Sequence, residues 1–128
     1  MNDRHILVVE DDDSVRLVTQ LSLETTAGWQ VTAAPDGMNC LRLAAQLQPD
    51  AVLLDVMMPL MDGPETATRL RASPGTRHIP IVFLTASPRT RAEAWAEIGV
   101  AGFIAKPFDP LLLASRVAGI LGWEAPAR

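Results

Sequence analysis

Five side chains that could bind a metal ion or take part in phosphoryl transfer stand at the ends of short apolar segments. Glu10 and Asp11 follow the first segment, Asp55 follows the third, Thr85 ends the fourth and Lys106 lies just past the fifth. The second segment ends in alanines and contributes no such group. If the segments are parallel strands, their carboxyl ends meet at one edge of a sheet, where ligands bind in this type of architecture. The pattern therefore predicts one site.

Phosphoryl transfer to a carboxylate is the chemistry that this set supports. Converging carboxylates repel one another and have raised pKa values unless a cation joins them. Oxygen ligands without histidine or cysteine suit Mg²⁺, with Mn²⁺ as a substitute, and Mg²⁺ takes one or two protein carboxylates plus a phosphate. A remaining carboxylate is then free to attack phosphorus and form an aspartyl phosphate. The Lys106 ammonium and the Thr85 hydroxyl could neutralise and bind the phosphoryl oxygens.

Two hydrophobic patterns alternate along the segments that must position these groups. The first pattern is a short, continuous apolar run. The second, found between these runs, is a set of apolar residues at helical spacing, such as Val15, Val18 and Leu21 in the first such segment. Branched apolar runs bounded by acids or turn residues predict strands at residues 5–9, 30–33, 51–54, 79–84 and 102–105.

Capping residues predict where several helices begin. Pro64 suits the first turn of the third helix, while Ser87-Pro88 and Asp109-Pro110 suit the starts of the fourth and fifth. Five β-α units thus follow one another without an internal linker. Strands this apolar are buried on both faces, which predicts an α/β fold, a doubly wound sandwich with a parallel sheet.

Composition narrows the class of protein. The chain has 128 residues, of which 48% are apolar, and this argues against disorder. Its net charge of −4, without a basic stripe, argues against direct binding of nucleic acid. Cys40 is the single cysteine, which excludes an internal disulfide and a cysteine-based zinc cluster. No apolar run approaches the roughly 20 residues that cross a membrane, and no signal peptide is recognised, so we predict a cytoplasmic protein.

Four ordered motifs resemble the receiver domain of bacterial two-component response regulators. The similarity covers the chain from about residue 5 to residue 121. It implies a flavodoxin-like (βα)5 fold with strand order 2-1-3-4-5. The motifs are ILVVEDD at residues 6–12, LLDVMMPLMDG at 53–63, LTA at 84–86 and FIAKPF at 103–108.

The resemblance implies a role for each site residue. Asp55 would be the phosphoacceptor. Glu10 and Asp11 would form the acidic pair that holds Mg²⁺ with Asp55, Asp11 being the more direct ligand. The main-chain carbonyl of Met57 would complete the protein ligands. Thr85 would bind the arriving phosphoryl group.

The resemblance also implies a conformational switch at strand five. Lys106 would pair with the phosphoryl group next to a cis peptide bond to Pro107. Phe103 occupies the position of the aromatic side chain that moves inward as Thr85 shifts toward the phosphate. The switch would alter the surface formed by helix four, strand five and helix five.

The implied function is a signalling switch rather than an enzyme with a separate substrate. A sensor histidine kinase or phosphotransfer protein would supply the phosphoryl group, and an unidentified downstream protein would bind the switched surface. Strand five lacks the acidic residues that DNA-binding relatives carry for salt-bridged dimers, which favours a monomer or a weak dimer.

Three alternatives to a stand-alone receiver share part of this pattern. A phosphohydrolase using an aspartyl phosphate would need an aspartate two residues after the nucleophile, where this chain has Met57. A receiver with an inactive pocket would lack an acid, the threonine or the lysine, and none is missing. The chain could also be a fragment of a longer regulator. We assign residues 3–122 to the receiver domain and 123–128 to a short tail or truncated linker.

Several other residues have structural interpretations. Asp12 and Asp13 are predicted to cap the first helix rather than bind metal. Cys40 is predicted to lie in the core, and so is Trp95, for which contact with a partner protein is the alternative. Isolated histidines at residues 5 and 78 are predicted to be structural. For the methionines at residues 57, 58 and 61, loop packing and an adaptable contact surface are left as equal alternatives.

Overall fold

Five parallel strands form a single sheet with helices on both faces. The computed structural model describes residues 4–87 and 92–126. In chain order the elements are β1 (His5–Val9), α1 (Asp13–Ala27), β2 (Gln30–Ala34), α2 (Gly37–Leu47), β3 (Ala51–Asp55), α3 (Gly63–Ala72), β4 (Ile81–Thr85), α4 (Ala92–Ile98), β5 (Gly102–Ala105) and α5 (Leu113–Leu121). The strand order is β2-β1-β3-β4-β5, which confirms the predicted doubly wound topology.

Strand register brings the ends of the strands to one edge. Val9, the last residue of β1, pairs with Ala34 of β2 and with Leu54 of β3. Asp55 then pairs with Leu84 of β4, and Thr85 pairs with the last residue of β5. All five strands therefore end within two residues of each other in register, and the loops that follow share the carboxyl edge.

The two faces of the sheet carry separate apolar clusters. Because successive strand residues point to opposite faces, Leu7 and Val9 of β1 face α2, α3 and α4, while Ile6 and Val8 face α1 and α5. Both sets are fully buried. Strands buried on both faces explain why their sequences are continuously apolar rather than alternating.

Aspartates cap three of the helices. Asp12, Asp36 and Asp62 accept the main-chain N–H of the residue three positions on, at 2.9, 2.8 and 2.9 Å. Each bond satisfies one of the amide groups left unpaired at a helix start. The predicted capping role of Asp12 is confirmed, and Asp13 forms an ion pair with Arg16 at 2.6 Å in the first turn of α1.

The first helix covers the segment in which Val15, Val18 and Leu21 recur at helical spacing, yet these apolar residues do not mark its buried side. Val18 and Leu21 are 45% and 50% exposed. The buried residues are Leu23 with Thr19 and Ser22, whose hydroxyls donate to the carbonyls of Val15 and Pro110. A hydroxyl that is hydrogen-bonded can be buried at little cost, so polar residues can form the inner side.

The predicted start of the last helix is wrong. Asp109-Pro110 was expected to cap it, but α5 begins at Leu113. The Asp109 carboxylate accepts the N–H of Leu111, and its carbonyl accepts the N–H of Leu112 at 2.9 Å, which closes a separate turn ahead of the helix. The predicted start of the fourth helix at Ser87-Pro88 lies partly outside the described residues.

The chain continues to pack against the domain beyond α5. Trp123 meets Trp29 edge to face with ring centroids 5.5 Å apart, and the Arg4 guanidinium lies 4.3 Å from the Trp123 ring centroid. The Trp123 main-chain N–H donates to the carbonyl of Ala118 at 2.8 Å. These contacts join both ends of the described chain at the amino edge of the sheet.

No helix among the described residues has the length and apolar character needed to cross a bilayer.

Candidate functional site

The five predicted site residues lie together at the carboxyl edge of the sheet. Glu10 and Asp11 follow β1, Asp55 and Thr85 are the last residues of β3 and β4, and Lys106 follows β5. Glu10, Asp55 and Thr85 are each at most 3% exposed, whereas Asp11 is open to solvent. The central position of β1 and β3 in the sheet explains why two acids can be buried at this edge.

Lys106 bridges the two buried acids. Its Nζ donates to Glu10 Oε1 and to Asp55 Oδ1, both at 2.8 Å. Burial alone lowers the pKa of the Lys106 ammonium, but the hydrogen bonds to Asp55 and Glu10 and the negative charges of these two acids together outweigh burial and raise it. The Lys106 main-chain N–H donates to the carbonyl of Thr85 at 2.8 Å, and its peptide bond to Pro107 is cis.

Glu10 is held at every polar atom. Its main-chain N–H donates to the carbonyl of Ala34, Oε2 accepts the N–H of Asp12 at 3.1 Å, and Oε1 accepts from Lys106. Burial raises the pKa of Glu10, and the nearby Asp55 adds to this effect, while the bonds from Lys106 and Asp12 oppose it. The geometry thus fixes this carboxylate in place.

The acids form a group suited to a divalent cation. One carboxylate oxygen from each of Glu10, Asp11 and Asp55 lies within 4.8 Å of the others. Three carboxylates and one ammonium leave two formal negative charges, which a divalent cation would neutralise. All the donors are hard oxygens with no histidine or cysteine among them, which fits Mg²⁺. Met57 lies two residues beyond Asp55 with its side chain 76% exposed.

Thr85 borders the site on the side of β4. Its hydroxyl accepts the main-chain N–H of Ser87 at 3.0 Å, which leaves the hydroxyl proton available to another acceptor. An open cleft of about 490 Å³ is lined by Thr85, Met57 and Trp95 among others. The cleft places a donor hydroxyl next to the exposed surface of the loop after Asp55.

Comparison with known proteins identifies the family. The family model described as "Response regulator receiver domain" matches residues 6–118. The chain belongs to the response regulator receiver family. The match runs from β1 into α5 and includes the five site residues at the carboxyl edge of the sheet.

Sequence relatives of this receiver domain are longer proteins. It is 38% identical over 122 residues to the "Transcriptional regulatory protein CseB" of Streptomyces avermitilis, covering 91% of this chain and 48% of that protein. It is 42% identical over 118 residues to the "Response regulator PleD" of Caulobacter vibrioides, covering 90% of this chain and 25% of that protein. The chain therefore spans half or less of the length of these relatives.

Solved structures agree with the receiver fold. The chemotaxis protein CheY4 of Vibrio cholerae superposes with a TM-score of 0.85 at 28% identity, covering 92% of this chain and 98% of that one. The receiver domain of the sensor histidine kinase PA1611 from Pseudomonas aeruginosa gives a TM-score of 0.82 at 30% identity, covering 94% and 98%. That structure has a magnesium ion coordinated in its active site cleft.

The aromatic residue of β5 lies at the surface of this receiver domain. Phe103 is 38% exposed, and its ring contacts Trp95 edge to face with centroids 5.7 Å apart. Trp95 in turn packs against Phe83 at 5.0 Å. The predicted core position of Trp95 is confirmed. The contact links the exposed ring of β5 to α4 and to the buried centre of β4.

Two residues that support the receiver site were missed by sequence reasoning. Arg16 on α1 donates from Nη1 to the main-chain carbonyl of Glu10 at 3.0 Å. Gly63 at the start of α3 lies so close to β3 that a Cβ would be 2.6 Å from the carbonyl oxygen of Asp55. The i, i+3 spacing of Asp13 and Arg16 is a signal that could predict an ion pair on the helix surface, but no sequence signal points to the bond with Glu10.

The remaining candidates have structural positions. Cys40 is buried in the core, as predicted. His5 shares a hydrogen bond of 2.8 Å with the Thr32 hydroxyl, and His78 is exposed. Of the three methionines in the loop, Met57 is exposed, while those at residues 58 and 61 are buried. The loop-packing interpretation therefore fits Met58 and Met61, but not Met57.

Proposed function

We propose that this receiver domain accepts a phosphoryl group on Asp55 from a histidine kinase or a phosphotransfer protein, with Mg²⁺ or Mn²⁺ bound. One observation carries the proposal. Asp55 is a buried carboxylate at a strand end, paired with Lys106 and adjoining Glu10 and Asp11. It is the member of the acidic group that lies at the centre of the sheet edge, between Glu10 and Asp11 on one side and Thr85 on the other.

The transfer exchanges one bond to phosphorus for another. An Asp55 carboxylate oxygen attacks phosphorus, while the phosphorus–nitrogen bond of the donor phosphohistidine breaks and its electron pair returns to the imidazole. Glu10, Asp11, Asp55 and the main-chain carbonyl of Met57 would hold the Mg²⁺. When bound, the cation neutralises charge on the phosphoryl oxygens and on the acids.

Lys106 and Thr85 act on the transferred group. The Lys106 ammonium, already 2.8 Å from Asp55 Oδ1, needs only a small movement to pair with a phosphoryl oxygen. The Thr85 hydroxyl keeps its proton free to donate while it accepts from Ser87. Both interactions are charge-assisted, which makes them shorter and stronger than neutral hydrogen bonds.

Phosphorylation is proposed to be read out at the surface of α4, β5 and α5. A shift of Thr85 toward the phosphate vacates space behind β4, and the Phe103 ring can then turn inward against Trp95. A downstream protein would bind the altered surface. The chain catalyses only its own phosphorylation and dephosphorylation in this scheme and has no separate substrate.

Intact mass spectrometry tests the proposal. The protein is incubated with Mg²⁺ and acetyl phosphate, and a gain of one phosphoryl group is expected. Asp55→Asn and omission of Mg²⁺ should each abolish the gain. Asp50→Asn is the matched control, because Asp50 accepts the His5 N–H at the amino edge of the sheet and should not affect uptake. Uptake that persists in Asp55→Asn would exclude the assignment.

A further inference from the structure

Arg16 connects the first helix to the acidic loop. Its Nη1 donates to the main-chain carbonyl of Glu10 at 3.0 Å, and its Nη2 pairs with Asp13 Oδ1 at 2.6 Å. The arginine side chain is 22% exposed, whereas the side chain of Asp13 is 90% exposed. The bond to Glu10 therefore lies on the inner side of the guanidinium and the ion pair on the outer side.

The bond to Glu10 controls the direction of the next residue. The carbonyl of Glu10 and the N–H of Asp11 belong to one planar peptide unit, so a donor that fixes the carbonyl also fixes the amide. Asp11 is exposed, and its carboxylate completes the acidic group within 4.8 Å of Glu10 and Asp55. Because the Cα–Cβ bond of Asp11 extends from this peptide unit, the orientation of the peptide limits the directions in which its carboxylate can point.

The positive charge of Arg16 affects metal affinity in the opposite direction to its hydrogen bond. A cation near a divalent metal ion weakens metal binding by repulsion, and the effect is reduced by the paired Asp13. Loss of the charge alone would therefore tighten metal binding by a few-fold. Loss of the positioning bond would weaken it. The two effects have different signs, so an experiment can separate them.

The geometry points to Arg16 as a positioning residue for the metal site, which holds the Glu10–Asp11 peptide so that Asp11 faces Asp55. This inference rests on the proposed function, because the metal is the one that phosphoryl transfer requires. Residues that orient metal ligands through a hydrogen bond commonly change metal affinity by about 10–100-fold when they are substituted. Arg16 reaches the ligand set through the main chain rather than through a ligand side chain.

Calorimetric titration with Mg²⁺ tests the inference. Arg16→Met keeps the aliphatic stem but removes both the charge and the donors, and we expect its Mg²⁺ dissociation constant to rise about tenfold. Asp13→Asn leaves the bond to Glu10 and is the matched control, with an expected change below about twofold. Arg16→Lys keeps the charge and one donor, and its dissociation constant should lie between those of the parent and Arg16→Met.

A second measurement needs no metal. The ¹⁵N chemical shift of the Asp11 amide in metal-free protein reports the polarisation of its peptide, and it should move more in Arg16→Met than in Asp13→Asn. An unchanged or lower Mg²⁺ dissociation constant in Arg16→Met, or an unmoved Asp11 amide, would overturn the inference. If Arg16→Met does not fold, Arg16→Lys is judged on the same two measurements. Failure of the proposed function would appear separately, as absent phosphoryl uptake by the parent protein.

Discussion

Gly63 lies against the backbone of Asp55 with no room for a side chain. A Cβ on Gly63 would be 2.6 Å from the Asp55 carbonyl oxygen and 2.8 Å from the Cα of Val56. The Gly63 N–H also donates to the carbonyl of Val56 at 2.9 Å, so the start of α3 is tied directly to the end of β3. Because both contacts are with main-chain atoms, no side chain can move to relieve the overlap.

Substitution of Gly63 is expected to destabilise the domain. Gly63→Ala should lower the free energy of unfolding by about 1–3 kcal/mol, since α3 must move away from the strand that carries Asp55. Gly119→Ala is the control: nothing lies within 4 Å of its Cβ position on α5, and alanine should raise stability by up to about 1 kcal/mol. Urea unfolding of both variants measures the difference, and equal values would contradict the steric argument.

The acidic site is expected to reduce the stability of the metal-free protein. Glu10 and Asp55 share one ammonium, and with Asp11 the group keeps two excess negative charges. In EDTA, Asp55→Asn should therefore raise the free energy of unfolding by about 1–2 kcal/mol. Lys106→Met should lower it by about 2 kcal/mol, because two buried carboxylates lose their partner.

Saturating Mg²⁺ should reduce or reverse the advantage of Asp55→Asn. The cation binds the folded parent more tightly than the variant and so stabilises the parent more. Denaturant unfolding with EDTA and with excess Mg²⁺ provides the comparison. A variant less stable than the parent in EDTA would show that the pair with Lys106 outweighs repulsion among the acids.

Trp123 is expected to contribute to stability although it follows the last helix. Trp123→Ala removes the contacts with Trp29 and Arg4 and should cost about 1–3 kcal/mol. Trp123→Phe keeps an aromatic ring and should lose less than half as much. Equilibrium unfolding in urea measures both losses. If Trp123→Ala is as stable as the parent, the segment after α5 is a dispensable tail.

The buried thiol of Cys40 is expected to make stability depend on alkaline pH. Burial raises the pKa of Cys40 from 9.0 to about 12, with a smaller contribution from Asp36. Below pH 9 the thiol is protonated in both the folded and the unfolded chain, so it does not change the free energy of unfolding. Between pH 9 and 12 only the unfolded chain ionises, so stability falls by about 1.4 kcal/mol per pH unit.

Comparison of the parent with Cys40→Ala isolates this contribution. Between pH 8 and pH 10 the parent should lose about 1.4 kcal/mol more than the variant in urea unfolding. Other titrating groups are common to both proteins and cancel in the difference. Identical pH dependence would mean that the thiol is accessible to ionisation in the folded state.

The sequence by itself determined the fold and the members of the site. Continuously apolar runs predict strands buried on both faces, and each run ends at a fixed residue such as Asp55 or Thr85. Parallel strands bring their carboxyl ends to one edge, so residues far apart in sequence could be assigned to one site. The local acid pattern likewise predicted the cap at Asp12.

Only the tertiary structure decided which side of α1 is buried and what holds the acidic loop. Val18 and Leu21 have the spacing of a buried face, but Thr19 and Ser22 occupy it because their hydroxyls find acceptors. The bond from Arg16 to Glu10 depends on how α1 leaves β1, and the contact of Gly63 with Asp55 depends on how closely α3 approaches β3. Hydrophobic periodicity reports which residues avoid water, whereas these contacts depend on distances between elements that form only when the domain is packed.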